Sequence, residues 1–368
     1  MLDVKLKLRP GHTSERVLME PSPLRTLFWN VTYSCNFRCP ICFTDAGTPA
    51  PDELTTEEAL AVARKAGKSG IRDVLISGGE PFMRPDLIAI LSALAEFDIS
   101  VRIASNGSLL DDYALDELRR RTLTKSFQIS LDSIEPALYA KLHGTSPELL
   151  DTVLGNLKRI QAHGFHATVS TRLTPETLPG IPRLLDIAER EGWATVTVHI
   201  PVHANRISGA YPQDEDVIGL LAPALEHFIM LPQRWLIETY IPWAQYHPFM
   251  ARAAKRVRVV HRGCRAGRDR LTINPTGWIS PCICLDLPAA RLGNVRQSAL
   301  PDLFATSALC RMMRQPAEHG ICTDCPHVAE CGGGCRAAAL ALSGRLDGPD
   351  ASCPVWKKRL DRKDHGAP

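Results

Sequence analysis

Cys35-Asn36-Phe37-Arg38-Cys39-Pro40-Ile41-Cys42 is the stretch from which the rest of the chain is read. Its three cysteines are spaced C-x3-C-x2-C. A [4Fe–4S] cube has four irons and normally takes four thiolates, so a loop this short wraps one cube and leaves one iron open to a small chelating molecule. Leu27-Phe28-Trp29-Asn30-Val31, just before the loop, is a β-prone run. The cysteines therefore fall past the C-terminal end of a first strand, the end that carries chemistry in α/β barrels. A zinc reading needs a fourth nitrogen or sulfur ligand, and His12 and His143 are the nearest histidines. Disulfides are disfavoured, because nothing in the chain indicates an oxidising compartment.

A second motif, Gly78-Gly79-Glu80-Pro81, follows the next strand-like run. Together with Cys35, Cys39 and Cys42 it resembles the radical S-adenosylmethionine (SAM) enzymes. The resemblance implies that the open iron binds the amino and carboxylate groups of SAM. One electron then cleaves SAM to methionine and a 5′-deoxyadenosyl radical, which abstracts hydrogen from substrate. The protein's task is to position and shield that chemistry.

The 368 residues carry a net charge of +3, too little to point to nucleic acid as a partner. With 45% hydrophobic and 23% charged residues the composition is that of an ordinary globular protein. No run approaches the roughly 18–20 apolar residues of a membrane span. Leu2, Val4, Leu6 and Leu8 alternate with Asp3, Lys5, Lys7 and Arg9. That is a strand pattern without a signal-peptide core, so the expected location is cytoplasmic, with no membrane contact. Twelve cysteines in such a chain point to metal or redox chemistry.

Past an N-terminal segment (1–26), strands predicted at 27–32, 73–77, 99–105, 126–131, 167–172 and 195–200 alternate with helices at 55–69, 85–97, 111–121, 135–162 and 177–191. Thr55 before Thr56-Glu57-Glu58 marks a helix start, and Pro85 suits a first turn. Gly70, Gly164 and Gly192 follow helices as caps do. Six βα units are too few for a closed eight-fold barrel. The resemblance implies the partial, TIM-like (β/α)6 barrel of radical SAM enzymes, so the fold class is α/β, with a core over 27–200. A bridge (201–258) breaks the rhythm, with a helix expected at 214–231 and an aromatic, proline-rich run at 235–250. Residues 251–270 hold eight Arg or Lys against one acid, Asp269, and read first as a solvated face, second as a positive rim near the clusters.

The last hundred residues carry Cys264, Cys282, Cys322, Cys325, Cys331, Cys335 and Cys353. Their spacing is similar to the seven-cysteine SPASM domain that follows some radical SAM barrels, placed here at 259–357 before a basic tail (358–368). The resemblance implies two auxiliary [4Fe–4S] clusters. Cys264, Cys282 and Cys335 would hold the first, and Cys322, Cys325, Cys331 and Cys353 the second. Gly332-Gly333-Gly334 would let the chain double back so that Cys335 faces a different cluster from Cys331. Zinc is the weaker reading of the 322–335 group. For the fourth ligand of the first cluster the candidates are Cys284, His261 or an open position. Cys310, in an apolar run, reads as a buried structural thiol.

In the barrel, the resemblance implies that Gly78, Gly79 and Glu80 bind the amino group of SAM, the last through its carboxylate. Asn106 and Ser130 would contact ribose or carboxylate, and Ile41 and Phe43 would pack adenine. Beyond the cluster and SAM no catalytic side chain is assigned. Two departures stand out. Relatives often place an Arg-Gly pair where this chain has His143-Gly144, so either His143 or Arg172 would meet the SAM carboxylate. Anaerobic sulfatase maturases have an aspartate directly after the cysteine matching Cys282, and this chain has Ile283, which argues against that activity. Expected partners are SAM, an electron donor such as flavodoxin or ferredoxin, and the substrate. The first functional reading is radical maturation of a precursor peptide. The second is oxidation or rearrangement of a sugar-like, aminocyclitol or other small intermediate. The twenty-six residues before the barrel are too few for a winged-helix peptide-recognition domain, and the Leu2–Leu8 strand either pairs with a peptide or completes a sheet. A non-catalytic zinc- or cluster-binding interaction protein is the alternative from another class.

Overall fold

Six parallel strands laid down in sequence order form the centre of the sheet: β2 (Thr26–Asn30), β3 (Asp73–Ser77), β4 (Ser100–Ser105), β5 (Thr124–Ser130), β6 (His166–Arg172) and β7 (Thr195–His199). The computed structural model describes residues 5–10, 23–42, 44–199, 221–226, 230, 235–239, 252–254, 258–261, 264–314, 322–326, 328–348, 350 and 353. Phe43, most of the expected bridge and the basic tail lie outside the described residues. So do Leu2 and Val4 of the N-terminal strand pattern, and the expected 214–231 helix apart from 221–226, which is helical, and Met230, which is in a turn.

The helices between the strands are α1 (Thr56–Lys68), α2 (Leu87–Ala95), α3 (Asp112–Arg121), α4 (Pro136–His143), α5 (Leu149–Ala162) and α6 (Ile181–Arg190). Every residue of β2 is buried, as a parallel strand covered on both faces requires. Thr55 starts α1 with a reciprocal capping box to Glu58, and Ala59, Val62, Ala63 and Ala66 form its buried stripe. Pro85 stands just before the N-cap Asp86 and not inside the first turn of α2. No described helix is long and apolar enough to cross a membrane.

The expected 135–162 helix is two helices. Gly144 ends α4 with a φ of 57°, in the left-handed region. A Cβ there would sit 2.1 Å from the backbone oxygen of Arg38, in the cysteine loop. Gly144→Ala is therefore expected to cost about 3 kcal/mol, combining left-handed strain with overpacking. Chemical denaturation under argon checks it, and a loss below about 1 kcal/mol would show that the loop moves aside freely.

The sheet is wider than six strands. β1 (Lys5–Pro10) pairs antiparallel with both β7 and β8 (Trp235–Thr239), and β9 (Arg258–His261) follows β8 in parallel. Beyond β2 lie β10 (Arg270–Ile273), then β11 (Trp278–Ser280) and β12 (Gly293–Asn294). The N-terminal strand thus completes a sheet. Both its edges are used, so it offers none to a peptide. In a flat sheet β9 and β10 would stand about 43 Å apart at the usual strand spacing, given their places in the order. The chain from His261 to Arg270 spans at most about 32 Å. The sheet must roll, and it forms an open barrel.

The basic run is not a solvated face at its C-terminal end. Arg268 is buried, Arg270 lies over the Phe28 ring at 4.0 Å, and the Arg265 guanidinium pairs with Asp269 (Nε to Oδ2 2.8 Å). The C-terminal helices are α7 (Leu300–Thr306), α8 (Ala308–Arg314), α9 (Val328–Cys331) and α10 (Arg336–Ser343).

Candidate active site and metal centres

The cysteine loop is held at both ends by the barrel. The Glu53 carboxylate accepts from Tyr33 N (2.6 Å), Thr32 Oγ1 (2.8 Å) and Ala50 N (3.2 Å). Cys35 N donates to Gly47 O (3.1 Å), and Gly47 N donates to Tyr33 O (2.8 Å). Phe37 is buried against Tyr139 and His143, with ring centroids 6.5 and 5.9 Å away. So anchored, Cys35, Cys39 and Cys42 line one cavity at the C-terminal ends of the strands. Backbone N–H groups approach two sulfurs, Phe37 N to Cys35 Sγ (3.4 Å) and Ala46 N to Cys42 Sγ (3.3 Å). Burial pushes Cys35 up and Cys39 up to about 12, so these sulfurs need a cation to become thiolates. Three soft donors with N–H support and room beside them fit an iron–sulfur cluster.

The same cavity is lined by Ile41, Gly78, Gly79, Asn106, Ser130, His143 and Arg172, which come from six separate segments of the chain. Glu80 is fully buried, and its carboxylate accepts from Phe82 N (3.1 Å), Ser105 Oγ (2.9 Å) and Asn106 N (2.8 Å). It braces the ends of β3 and β4 behind the Gly78–Gly79 segment, which lines the cavity. Burial pushes Glu80 up to about 7 from 4.5. A raised carboxyl destabilises the fold as pH climbs from its unfolded to its folded value. Stability is therefore expected to fall by about 3 kcal/mol between pH 4.5 and 7. Denaturation midpoints across that window check this, and Glu80→Gln should flatten the slope.

Asn106 serves the loop as well as the cavity. Its Nδ2 donates to Asn36 Oδ1 (2.8 Å), and its Oδ1 accepts from Ser108 N (2.9 Å).

Asp132, unassigned in the sequence reading, organises the far wall. Its Oδ2 accepts from Arg172 Nε (2.8 Å) and from the Arg172 Nη2, and its Oδ1 accepts from Arg172 N (2.6 Å). His143 Nε2 lies 3.2 Å from the same carboxylate, and His143 Nδ1 lies 3.8 Å from Cys39 Sγ. Arg172 Nη1 also donates to Ile41 O (3.2 Å). Both candidates for the SAM carboxylate are thus tied to one buried acid. A carboxylate ending the Ile129-Ser130-Leu131-Asp132 run was the available signal.

In the C-terminal region Cys264, Cys282, Cys284 and Cys335 meet in a second apolar core with Ala266, Leu285 and Met313. Gly332, Gly333 and Gly334 have φ of 63°, 84° and 80°, a left-handed reversal between α9 and α10. Across it the thiols part company. Burial raises both, and Asp350 lies near both; beyond these, Cys335 is also raised by Cys264 and Cys282, and Cys331 by Cys353 and Cys322. Cys325 N donates to Cys322 O (3.2 Å) in the turn joining that pair. Asp350 Oδ2 accepts from Cys335 N (2.7 Å). His261 belongs to β9, and its ring lies outside the described residues. Cys310 is buried in α8 with Ser307 at its N–H, as a structural thiol would be. None of the twelve cysteines forms a disulfide. Among the described residues, no three His, Cys, Asp or Glu side chains gather as they would around a single metal ion.

Residues 29–204 match the model of the radical SAM superfamily, and residues 264–326 match an iron–sulfur cluster-binding domain, SPASM. The chain belongs to the radical SAM superfamily. Within it, it is an enzyme of the SPASM-bearing kind, whose cofactors are a SAM-binding [4Fe–4S] cluster and auxiliary iron–sulfur clusters. The AdoMet-dependent heme synthase of Oleidesulfovibrio alaskensis is 27% identical over 95% of this chain and 92% of its own. The mycofactocin maturase MftC of Mycobacterium tuberculosis is 26% identical over 89% of this chain and 82% of its own. The structure of Streptococcus suis SuiB bound to its precursor peptide SuiA superposes with a TM-score of 0.67. It is 18% identical and covers 91% of this chain and 76% of SuiB, a likeness of fold.

Proposed function

We propose that this enzyme oxidatively matures a precursor peptide. When bound, the SAM-binding cluster supplies reductive cleavage of SAM and abstraction of a substrate hydrogen. Cys35, Cys39 and Cys42 hold that cluster, and an external flavodoxin or ferredoxin donates the electron. The Gly78–Gly79 wall, Ser130, Asn106 and the Arg172–Asp132–His143 group orient SAM. Phe28, Ile41, Leu75 and Ile283 provide apolar walls that exclude water.

One observation carries the oxidative reading. Ile283, directly after Cys282, lines the same cavity as the three N-terminal cysteines. The two thiol loops are also joined, as Tyr33 Oη donates to Asp286 Oδ2 (3.4 Å). The C-terminal thiols therefore stand next to the substrate's chamber. The peptide reading is supported by the similarity to the PqqA peptide cyclase of Rhizobium meliloti, 26% identical over 94% of this chain. A small-molecule substrate is the second reading, favoured by the comparable similarity to a heme synthase.

The test is anaerobic turnover with SAM and reductant, offering in parallel peptides encoded beside the gene and a porphyrin carboxylate. A peptide that loses two hydrogens in step with 5′-deoxyadenosine is the expected result. Turnover with the porphyrin alone would overturn the peptide reading in favour of the second.

A further inference from the structure

We propose that Cys284 is the fourth protein ligand of the auxiliary cluster beside the active site. With Cys264, Cys282 and Cys335 it completes an all-thiolate set that leaves no iron open to substrate. This rests on reading the C-terminal thiols as a cluster site.

The local backbone accounts for the placement. Cys282 is extended (φ −147°, ψ 143°) and caps a single 3-10 turn, Ile283–Leu285, so Cys284 N donates to Cys282 Sγ (3.4 Å). Ile283 then faces the cavity, while Cys284 is buried in the second apolar core. There it hydrogen-bonds with Cys282 and shares the core with Cys264 and Cys335.

The competing explanation is a buried structural cysteine, and this chain holds one for comparison. Cys310 is equally buried, yet it belongs to the main barrel core and not to the core that gathers Cys264, Cys282 and Cys335. Cys284 is only 5% exposed and sits with three cysteines of the cluster pattern, a position from which a cube would bind four sulfurs. Positive charge is supplied at the same place. Buried Arg268, with Arg270, stands near Cys264. A closed cluster implies that substrate is held by the cavity walls alone and needs no metal-chelating group there.

The test uses the full chain carrying Cys35→Ala, Cys39→Ala and Cys42→Ala, so that only C-terminal clusters assemble. Iron content and the electron paramagnetic resonance of the reduced protein are measured with and without cyanide, a ligand for open iron. The expected parent holds about eight irons and shows no change with cyanide. Adding Cys284→Ala should produce a cyanide-sensitive signal, a three-iron signal or the loss of about four irons. Cys284→Ser, which keeps a weaker oxygen ligand, should retain the iron with shifted g values, and it decides the matter should the alanine variant fail to fold. A cyanide-sensitive parent overturns the proposal. So do a Cys284→Ser variant with unchanged g values, or an effect that appears only with His261→Ala. A parent without any bound iron would instead refute the underlying cluster reading.

Discussion

Replacing Cys35, Cys39 and Cys42 together with alanine is expected to abolish formation of 5′-deoxyadenosine from SAM. Bound iron should fall from about twelve to about eight per chain, as one of three cubes is lost. The fold should survive, because the loop is pinned by groups other than the thiols. Glu53 collects three donors from it, Phe37 is buried against Tyr139 and His143, and the loop backbone bonds to Gly47. The three cysteines themselves are only half-buried. Circular dichroism and the C-terminal cluster absorption should therefore match those of the parent. Continued SAM cleavage by the triple variant would remove the cavity of β2–β7 from consideration as the reaction site.

Asp132→Asn is expected to give the largest loss of stability of any single substitution in the cavity wall, about 3–5 kcal/mol. The carboxylate is buried and accepts from three N–H groups of Arg172, and His143 stands beside it. An asparagine keeps the size but presents an amide N–H₂ to one of those donors. It also leaves the Arg172 guanidinium with an uncompensated charge in a site of low exposure. Because Arg172 also supports Ile41 O, its release should weaken SAM binding and raise the KM for SAM. The pH dependence follows from direction. Although burial opposes it, the Arg172 charge and the His143 contact leave Asp132 below the usual carboxylate range. Its contribution is therefore complete above about pH 4 and is lost as pH falls through the folded value. That acid limb lies below the window assigned to Glu80, so the two variants should flatten different parts of one stability curve. A loss under about 1 kcal/mol in Asp132→Asn, with an unchanged acid limb, would show that Arg172 is held by other partners.

Much of the molecule was legible in the amino-acid order because the deciding interactions are short in sequence. The C-x3-C-x2-C loop follows a β-prone run, and the structure puts that loop at the C-terminal end of β2. The Thr55–Glu58 capping box lies within one turn, and the βα rhythm reports burial periods that each segment carries by itself. The left-handed reversal at 332–334 likewise needed only glycines between two cysteines. Where the amino-acid order alone does not decide, the missing fact is a partner distant in the chain. Gly144 breaks a helical pattern because the backbone of Arg38 passes over it. Glu80 is buried because Ser105 and Asn106, a strand away, with Phe82 offer it three donors. β1 is enclosed because β7 and β8 take both its edges.

Sequence alone determined the chemistry the chain can hold, since thiol spacing and strand–helix alternation are properties of neighbours along the backbone. Only the tertiary structure decided which carboxylate faces the cavity and which is buried beneath it, and which cysteines share one apolar pocket. Those outcomes depend on desolvation and hydrogen-bond partners that exist only once remote segments are packed together.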